Sequence, residues 1–293
     1  MTSSLQSPVL SEQDRADFLR DGYVRIEGAV PPAHLAQWQD LAWERVGFER
    51  DDLTTWAKPR VHLPPTRAVR LDEFAPRALG AIRELCGSNR LREPDFWADV
   101  FIFNLFEGAD EPFREPGVSC PGWHKDGYFF RHFLDSPEQA LLVLVAWSDV
   151  NSRGGATFIA PDSVGVVARF LAEHPEGIEA ARMGELIEQC KRFEEVTARA
   201  GDVILCHPFM LHAVSQNVLR CERIISNPIA MLREPMSFDR PDGDYSLVEQ
   251  AILNGLGVSS FDFKRTGQSQ SQTPEWVNDA YNRLQTASSI SLP

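Results

Sequence analysis

Trp123-His124-Lys125-Asp126-Gly127-Tyr128-Phe129-Phe130 is the stretch on which the reading of this chain turns. It is aromatic and reads as an extended strand, on which residues two apart point to the same face. His124 and Asp126 therefore offer one neutral nitrogen and one anionic oxygen to a common point. That pair is two-thirds of the facial triad of two histidines and one carboxylate, which holds Fe(II) while leaving positions open for an oxidant. A second histidine from elsewhere would complete an oxygenase site.

The segments on either side read as short strands punctuated by Gly and Pro. Residues 100–106 are aromatic and β-branched, residues 141–147 are almost continuously apolar, and residues 156–159, 203–206, 211–214 and 223–231 follow. Such a series predicts a mainly β fold with flanking helices, built on a double-stranded β-helix core of jelly-roll, cupin-like type. Upstream, residues 11–47 read as two helices around a short strand at 23–26, residues 48–75 as irregular, and residues 76–87 as helical. The reading is of one domain over 1–293, with an N-terminal helical support region at 11–95, a jelly-roll core at 96–232 and a C-terminal extension at 233–293. A helical insertion at 164–192 is expected to cover a binding site. The polar run at 267–273 is expected to be a flexible link, and a last helix is expected from 274 to about 284.

Bulk properties narrow the partners. The chain has 293 residues, 43% of them hydrophobic, and a net charge of −13. Nucleic acid and anionic membrane surfaces both reward basic patches, so neither is expected as a partner. No apolar run approaches the roughly 20 residues of a membrane span. The first residues lack the basic and apolar regions of a secretory signal, and the five cysteines are scattered without close pairs. These features predict a cytoplasmic enzyme with reduced thiols and a small-molecule substrate; the sequence carries no signal for oligomeric state.

The chain has seven histidines, so the six besides His124 could supply the missing ligand. The run from 201 to 214 offers two, His207 and His212. Five residues apart, they would face opposite ways on a regular strand, but Pro208 between them breaks the register, so parity does not choose. Arg223 favours His212, because it opens the next apolar strand eleven residues later. An arginine entering a β-core needs an anionic partner, since an unpaired buried guanidinium is prohibitively costly. Its planar fork suits a carboxylate in two-point contact. That carboxylate could be a protein group such as Asp202 or Glu222, or it could belong to a cosubstrate.

These motifs, in this order, resemble the phytanoyl-CoA dioxygenase family of Fe(II)- and 2-oxoglutarate-dependent oxygenases. Residues 11–28 (SEQDRADFLRDGYVRIEG) resemble its opening helix and strand, and Trp123-His124-Lys125-Asp126 its first metal motif. Residues 154–163 (GGATFIAPDS) resemble its stretch ending in Pro-Gly-Ser-His, and residues 201–223 its second metal motif. The resemblance spans about residues 11–232. It implies that His124, Asp126 and His212 bind the iron and that Arg223 grips the far carboxylate of 2-oxoglutarate, with O2 as the third reactant. Oxidative decarboxylation of 2-oxoglutarate to succinate and carbon dioxide would then drive hydrogen abstraction from a C–H bond.

The chain departs from the family pattern at three places. Asp162 and Val164 replace the family's Gly and His, and Val214 stands where many members carry a hydroxyl near 2-oxoglutarate. Thr157 and Asn104 are candidates to supply that hydrogen bond, or else simply to pack and to cap a turn. Related halogenases lack the carboxylate ligand, so Asp126 points to hydroxylation, desaturation or ring formation of a small organic metabolite, of natural-product type. Tyr128, Phe129, Phe130, Phe133 and Trp147 are divided between an apolar pocket and ordinary core, and Arg67, Arg70 and Arg131 between an anionic substrate and the surface. The rival readings are a cupin-like metal-dependent hydrolase or isomerase and a ligand-binding barrel without turnover.

Overall fold

The computed structural model describes residues 8–93 and 95–289. Its centre is a pair of antiparallel sheets. The larger runs in the order Tyr23–Ile26, Val203–Cys206, Leu141–Ala146, Ile224–Ser226, Phe101–Asn104 and Arg60–Leu63, and Ile229–Ala230 also pairs with Leu141–Ala146. The smaller joins Leu211–Val214, Thr157–Ala160 and Glu194–Val196. This is the jelly-roll core with flanking helices that the strand pattern predicts.

The apolar run at 141–146 is continuous because both faces of its strand are buried. Leu141, Val143 and Val145 join the core cluster that contains Trp38, Phe74 and Trp147. Leu142, Leu144 and Ala146 join a second cluster with Ile102, Ile159, Ile204 and Ile225, between the sheets. The helix Pro32–Val46 covers the outer face of the larger sheet, where the Trp38 ring lies 4.9 Å from Trp147 and 5.8 Å from Phe101. Ser11 caps the first helix, Glu12–Asp21, in a reciprocal box with Asp14, so the chain enters the fold at a fixed angle.

Several elements differ from the expectation. Residues 48–75 are not irregular throughout: Arg60–Leu63 forms the edge strand of the larger sheet, and Ala68–Arg70 pairs with Phe96–Ala98. Pro59, Pro64 and Pro65 bracket that edge strand, a place where proline is tolerated, and they mask it. The helix Leu247–Leu256 was also not anticipated, although Ser246 and Glu249 form a capping box and Gly257 closes it. The insertion forms the helix Ser163–Glu173 and a 3-10 segment Ala180–Gln189. It does not cover the cavity described below. It packs behind the smaller sheet, where Gly184 lies directly against the Trp123 carbonyl and a Cβ there would come within 2.3 Å of it. Asp162 closes the insertion by accepting from the Lys191 N–H at 2.8 Å. Residues 267–273, expected as a flexible link, run beside the aromatic stretch: Arg131 donates to the Gln270 carbonyl at 2.8 Å and Gln272 to that of Phe129 at 2.7 Å.

Candidate active site

His124 is not part of a long strand. It makes a single bridge to His212 at the end of the smaller sheet, each backbone N–H donating to the other's carbonyl at 3.0 Å. The chain then turns sharply at Gly127, whose φ is +110°. A Cβ at that position would stand 2.3 Å from Phe130 and 2.8 Å from His132, so only glycine allows the turn that follows Asp126. His132 braces the turn from beneath through a 2.9 Å contact between Nε2 and the Gly127 carbonyl.

These constraints bring three side chains together. His124 Nε2 lies 3.3 Å, and His212 Nε2 3.5 Å, from Asp126 Oδ1. Among the described residues, His124, Asp126 and His212 form a cluster whose ligand atoms all lie within 4.8 Å of one another. Ligands on adjacent positions of one ion, with bonds of about 2.1 Å, stand about 3 Å apart, so small side-chain shifts suffice to accommodate a metal. Each imidazole also has its Nδ1 against a backbone carbonyl, that of Gly122 at 2.8 Å for His124 and that of Met210 at 3.3 Å for His212. Such contacts fix the tautomer that leaves Nε2 free as a ligand. Burial opposes ionisation of Asp126, but the two imidazoles hold its carboxyl well below the usual carboxylate range. The contact with Asp126 raises His124, against the effect of burial.

His207, the other candidate, is elsewhere. It is fully buried, accepts from the Phe209 N–H at 3.0 Å and lies 3.2 Å from the Val248 carbonyl; burial pushes it down to about 3. The Asp126 carboxylate has a partner that the sequence reading missed. Asn227 Nδ2 donates to Oδ2 at 3.1 Å, which leaves Oδ1 turned toward the histidines. Its signal was an asparagine directly after an apolar strand and before Pro228.

Arg223 is fully buried, and neither protein carboxylate considered for it is its partner. Asp202 accepts from the backbone of Gly28 and Arg199, both at 2.9 Å, and Glu222 pairs with Arg50 at 2.6 Å. The Nε and Nη1 atoms of Arg223 are buried without a hydrogen-bond partner, and Nη2 has a long 3.4 Å contact to Thr157 Oγ1. Burial, with the like charge of Arg60 added, pushes the guanidinium down to about 9. A buried cation in this state is suited to an anion of complementary shape.

The two sheets enclose a cavity of about 460 Å³ that reaches the three clustered side chains, Arg223 and Thr157. Ile102, Leu142, Leu144 and Ile225 line it from the larger sheet, and Val214 from the smaller. Tyr128 and Phe129 line it as well, whereas Phe130, Phe133 and Trp147 are core. Asn104, expected to contact the cosubstrate, does not line it: its amide donates to the Ser215 carbonyl at 3.0 Å and accepts from the Glu107 N–H at 3.2 Å. The arginines considered for an anionic substrate are also occupied elsewhere. Arg67 lies over the Trp38 ring, Arg70 pairs with Asp72, and Arg131 pairs with Glu179.

Two histidines and one carboxylate at the mouth of a jelly roll, with a buried arginine beyond them, are a donor set that suits a non-haem iron oxygenase of the 2-oxoglutarate-dependent kind. The sequence profile described as phytanoyl-CoA dioxygenase (PhyH) matches residues 18–224. No curated protein sequence matches the chain. Among solved structures, the epimerase SnoN in complex with Fe3+, alpha ketoglutarate and nogalamycin RO is similar at 22% identity and a TM-score of 0.51, over 90% of this chain and 96% of that one. EctD from S. alaskensis with bound Fe is similar at 17% identity and a TM-score of 0.48, over 91% of each chain. The carbocyclase SnoK from nogalamycin biosynthesis is similar at 18% identity and a TM-score of 0.47, over 78% of this chain and 86% of that one. The chain belongs to the phytanoyl-CoA dioxygenase family, whose members use Fe(II), 2-oxoglutarate and O2.

Proposed function

We propose that His124, Asp126 and His212 are the iron ligands of this enzyme, and that Arg223 and Thr157 receive the far carboxylate of 2-oxoglutarate. The observation that carries this reading is the pairing of a compact His–Asp–His cluster with a fully buried arginine whose Nε and Nη1 have no partner. When bound, the iron and 2-oxoglutarate supply the oxidising power for attack on a C–H bond. The protein's part is positional. Asn227 holds the Asp126 carboxylate so that one oxygen faces the histidines, and the Gly122 and Met210 carbonyls hold the two rings. Arg223 turns a dicarboxylate to one orientation by charge and two-point hydrogen bonding, with the Thr157 hydroxyl beside it. The apolar walls from Ile102, Leu142 and Leu144 keep water from the reacting carbon.

The substrate on this reading is a small organic metabolite. A cavity of about 460 Å³ lies within the usual range of small-molecule sites. The SnoN structure, which holds nogalamycin RO, supports a natural-product intermediate as the class. All five cysteines are free thiols, the state a reducing compartment maintains, and the cytoplasm is the setting proposed on that ground. No helix among the described residues is long and apolar enough to cross a membrane. The test is anaerobic addition of Fe(II) and 2-oxoglutarate. A metal-to-ligand charge-transfer band in the visible, and succinate release once O2 is admitted, are expected. Absence of the band would return the site to a hydrolytic or ligand-binding role.

A further inference from the structure

The edge strand Arg60–Leu63, absent from the sequence reading, places two basic side chains in the cavity. Arg60 stands opposite Asn104 and His62 opposite Ile102 in the antiparallel register. Residues two apart on a strand share a face, and both Arg60 and His62 line the cavity together with Ile102. Arg60 lies near enough to Arg223 and His124 for its charge to act on both, adding to the lowering of Arg223 and opposing the rise of His124. Both side chains are exposed at the rim, and among the described residues neither makes a side-chain hydrogen bond or ion pair, although the chain carries a net charge of −13. Burial and the two neighbouring arginines lower His62, which leaves it a neutral imidazole with one N–H to donate at neutral pH.

Two carboxylates line the same cavity. Asp126 faces its two histidines and Asn227; Glu138 accepts from Ser269 at 3.5 Å through Oε1, while its Oε2 is buried without a hydrogen-bond partner and neither oxygen pairs with Arg60. On the reading given under Proposed function, Fe(II), the Asp126 carboxylate, the 2-oxoglutarate dianion and the Arg223 cation cancel. Arg60 then stands at the exposed rim of the cavity as a cation that none of these groups pairs with.

We infer that Arg60 and His62 form the recognition rim for the substrate, and that the substrate carries a carboxylate on an otherwise apolar body. The planar guanidinium takes two carboxylate oxygens and the imidazole N–H adds a third bond, while Phe129, Trp276 and the aliphatic wall receive the rest of the molecule. This assignment rests on the iron and 2-oxoglutarate reading and goes beyond it.

The test uses the full chain with Fe(II) and 2-oxoglutarate under argon, and reads ligand binding by thermal shift and by perturbation of the charge-transfer band. The probes are matched sets of apolar carboxylates, primary amides and amines of graded length, including phenylbutyrate and octanoate with their amides. At least one carboxylate is expected to bind about tenfold more tightly than its amide. Arg60→Gln should erase that preference, and His62→Gln should reduce it, with 2-oxoglutarate affinity changed by less than about twofold. The assignment is overturned if no carboxylate outbinds its amide. It is equally overturned if Arg60→Gln weakens 2-oxoglutarate itself, which would place Arg60 in the cosubstrate's grip. If the charge-transfer band never forms, the failure belongs to the iron site and not to the rim.

Discussion

The backbones of His124 and His212 exchange hydrogen bonds in both directions, at 3.0 Å each, and their rings lie 4.2 Å apart. The two imidazoles are therefore aligned by main-chain pairing, before any metal contributes. Pairing of this closely spaced antiparallel kind fixes which residues stand opposite each other. Distant parts of the chain meet here at a single register position.

His212→Ala should abolish Fe(II) binding, with affinity falling at least about 100-fold, while circular dichroism shows the fold intact. His207→Ala should leave iron affinity unchanged and lower the unfolding free energy by about 1–3 kcal/mol, because the Phe209 N–H loses its buried acceptor. Iron titration and urea unfolding of the two variants separate these outcomes. Loss of iron by the His207 variant alone would reverse the ligand assignment.

Arg223→Met should act in opposite directions on the protein with and without cosubstrate. Without 2-oxoglutarate it removes a buried cation whose Nε and Nη1 have no partner, so the melting temperature should rise. With 2-oxoglutarate, the ligand-induced stabilisation of the wild type should vanish, as affinity falls by about 2–4 kcal/mol, on the order of 30- to 1,000-fold. A variant less stable than wild type without ligand, and still stabilised by 2-oxoglutarate, would contradict the role given to Arg223.

Asn227→Ala should cost about 10- to 100-fold in iron affinity or in turnover while leaving the melting temperature nearly unchanged. Its side chain donates to Asp126, the carboxylate of the proposed metal site. Asn227→Asp should be worse than alanine, since a second carboxylate would repel Asp126 at the same contact.

Lys125 provides a pH signature. Its side chain is buried, with Nζ donating to Gln139 Oε1 at 2.8 Å, and burial pushes it down to about 7, against the attraction of Asp126 and Glu138. An unfolded lysine titrates near pH 10.4, so between about pH 7 and 10 the unfolded chain binds more protons than the folded one. Stability contributed through this group therefore rises with pH across that window. Lys125→Met should flatten the rise, as measured by urea unfolding from pH 6.5 to about 9.5. Parallel curves for wild type and variant would show that Lys125 does not titrate there.

Much of this could be read from residue order alone, and the exceptions have physical causes. The His124-x-Asp126 spacing, and an arginine opening the apolar strand that follows His212, are local patterns, and the structure gathers His124, Asp126 and His212 into one cluster with Arg223 in the same cavity. Strand parity did not choose between His207 and His212, because Pro208 breaks the register; Arg223, eleven residues after His212, did, and the structure places His212 in the cluster and His207 outside it. Asn104 was legible as polar and buried, but its amide serves the Ser215 and Glu107 backbones, a tertiary commitment invisible in sequence. The Arg60–Leu63 strand was hidden by flanking prolines and by its alternation of exposed and half-buried residues at a sheet edge. Its omission also hid Arg60 and His62, the residues now assigned to the substrate.

The C-terminal segment supplies a side of the chamber that the two sheets leave open: Gln270 and Gln272 are tied by hydrogen bonds to Arg131 and Phe129, and Trp276 stands in the cavity wall. The His124, Asp126 and His212 cluster is built without it. Gathering the three side chains and enclosing the space above them are therefore tasks of different parts of the chain, and a cut between residues 257 and 267 would separate the two.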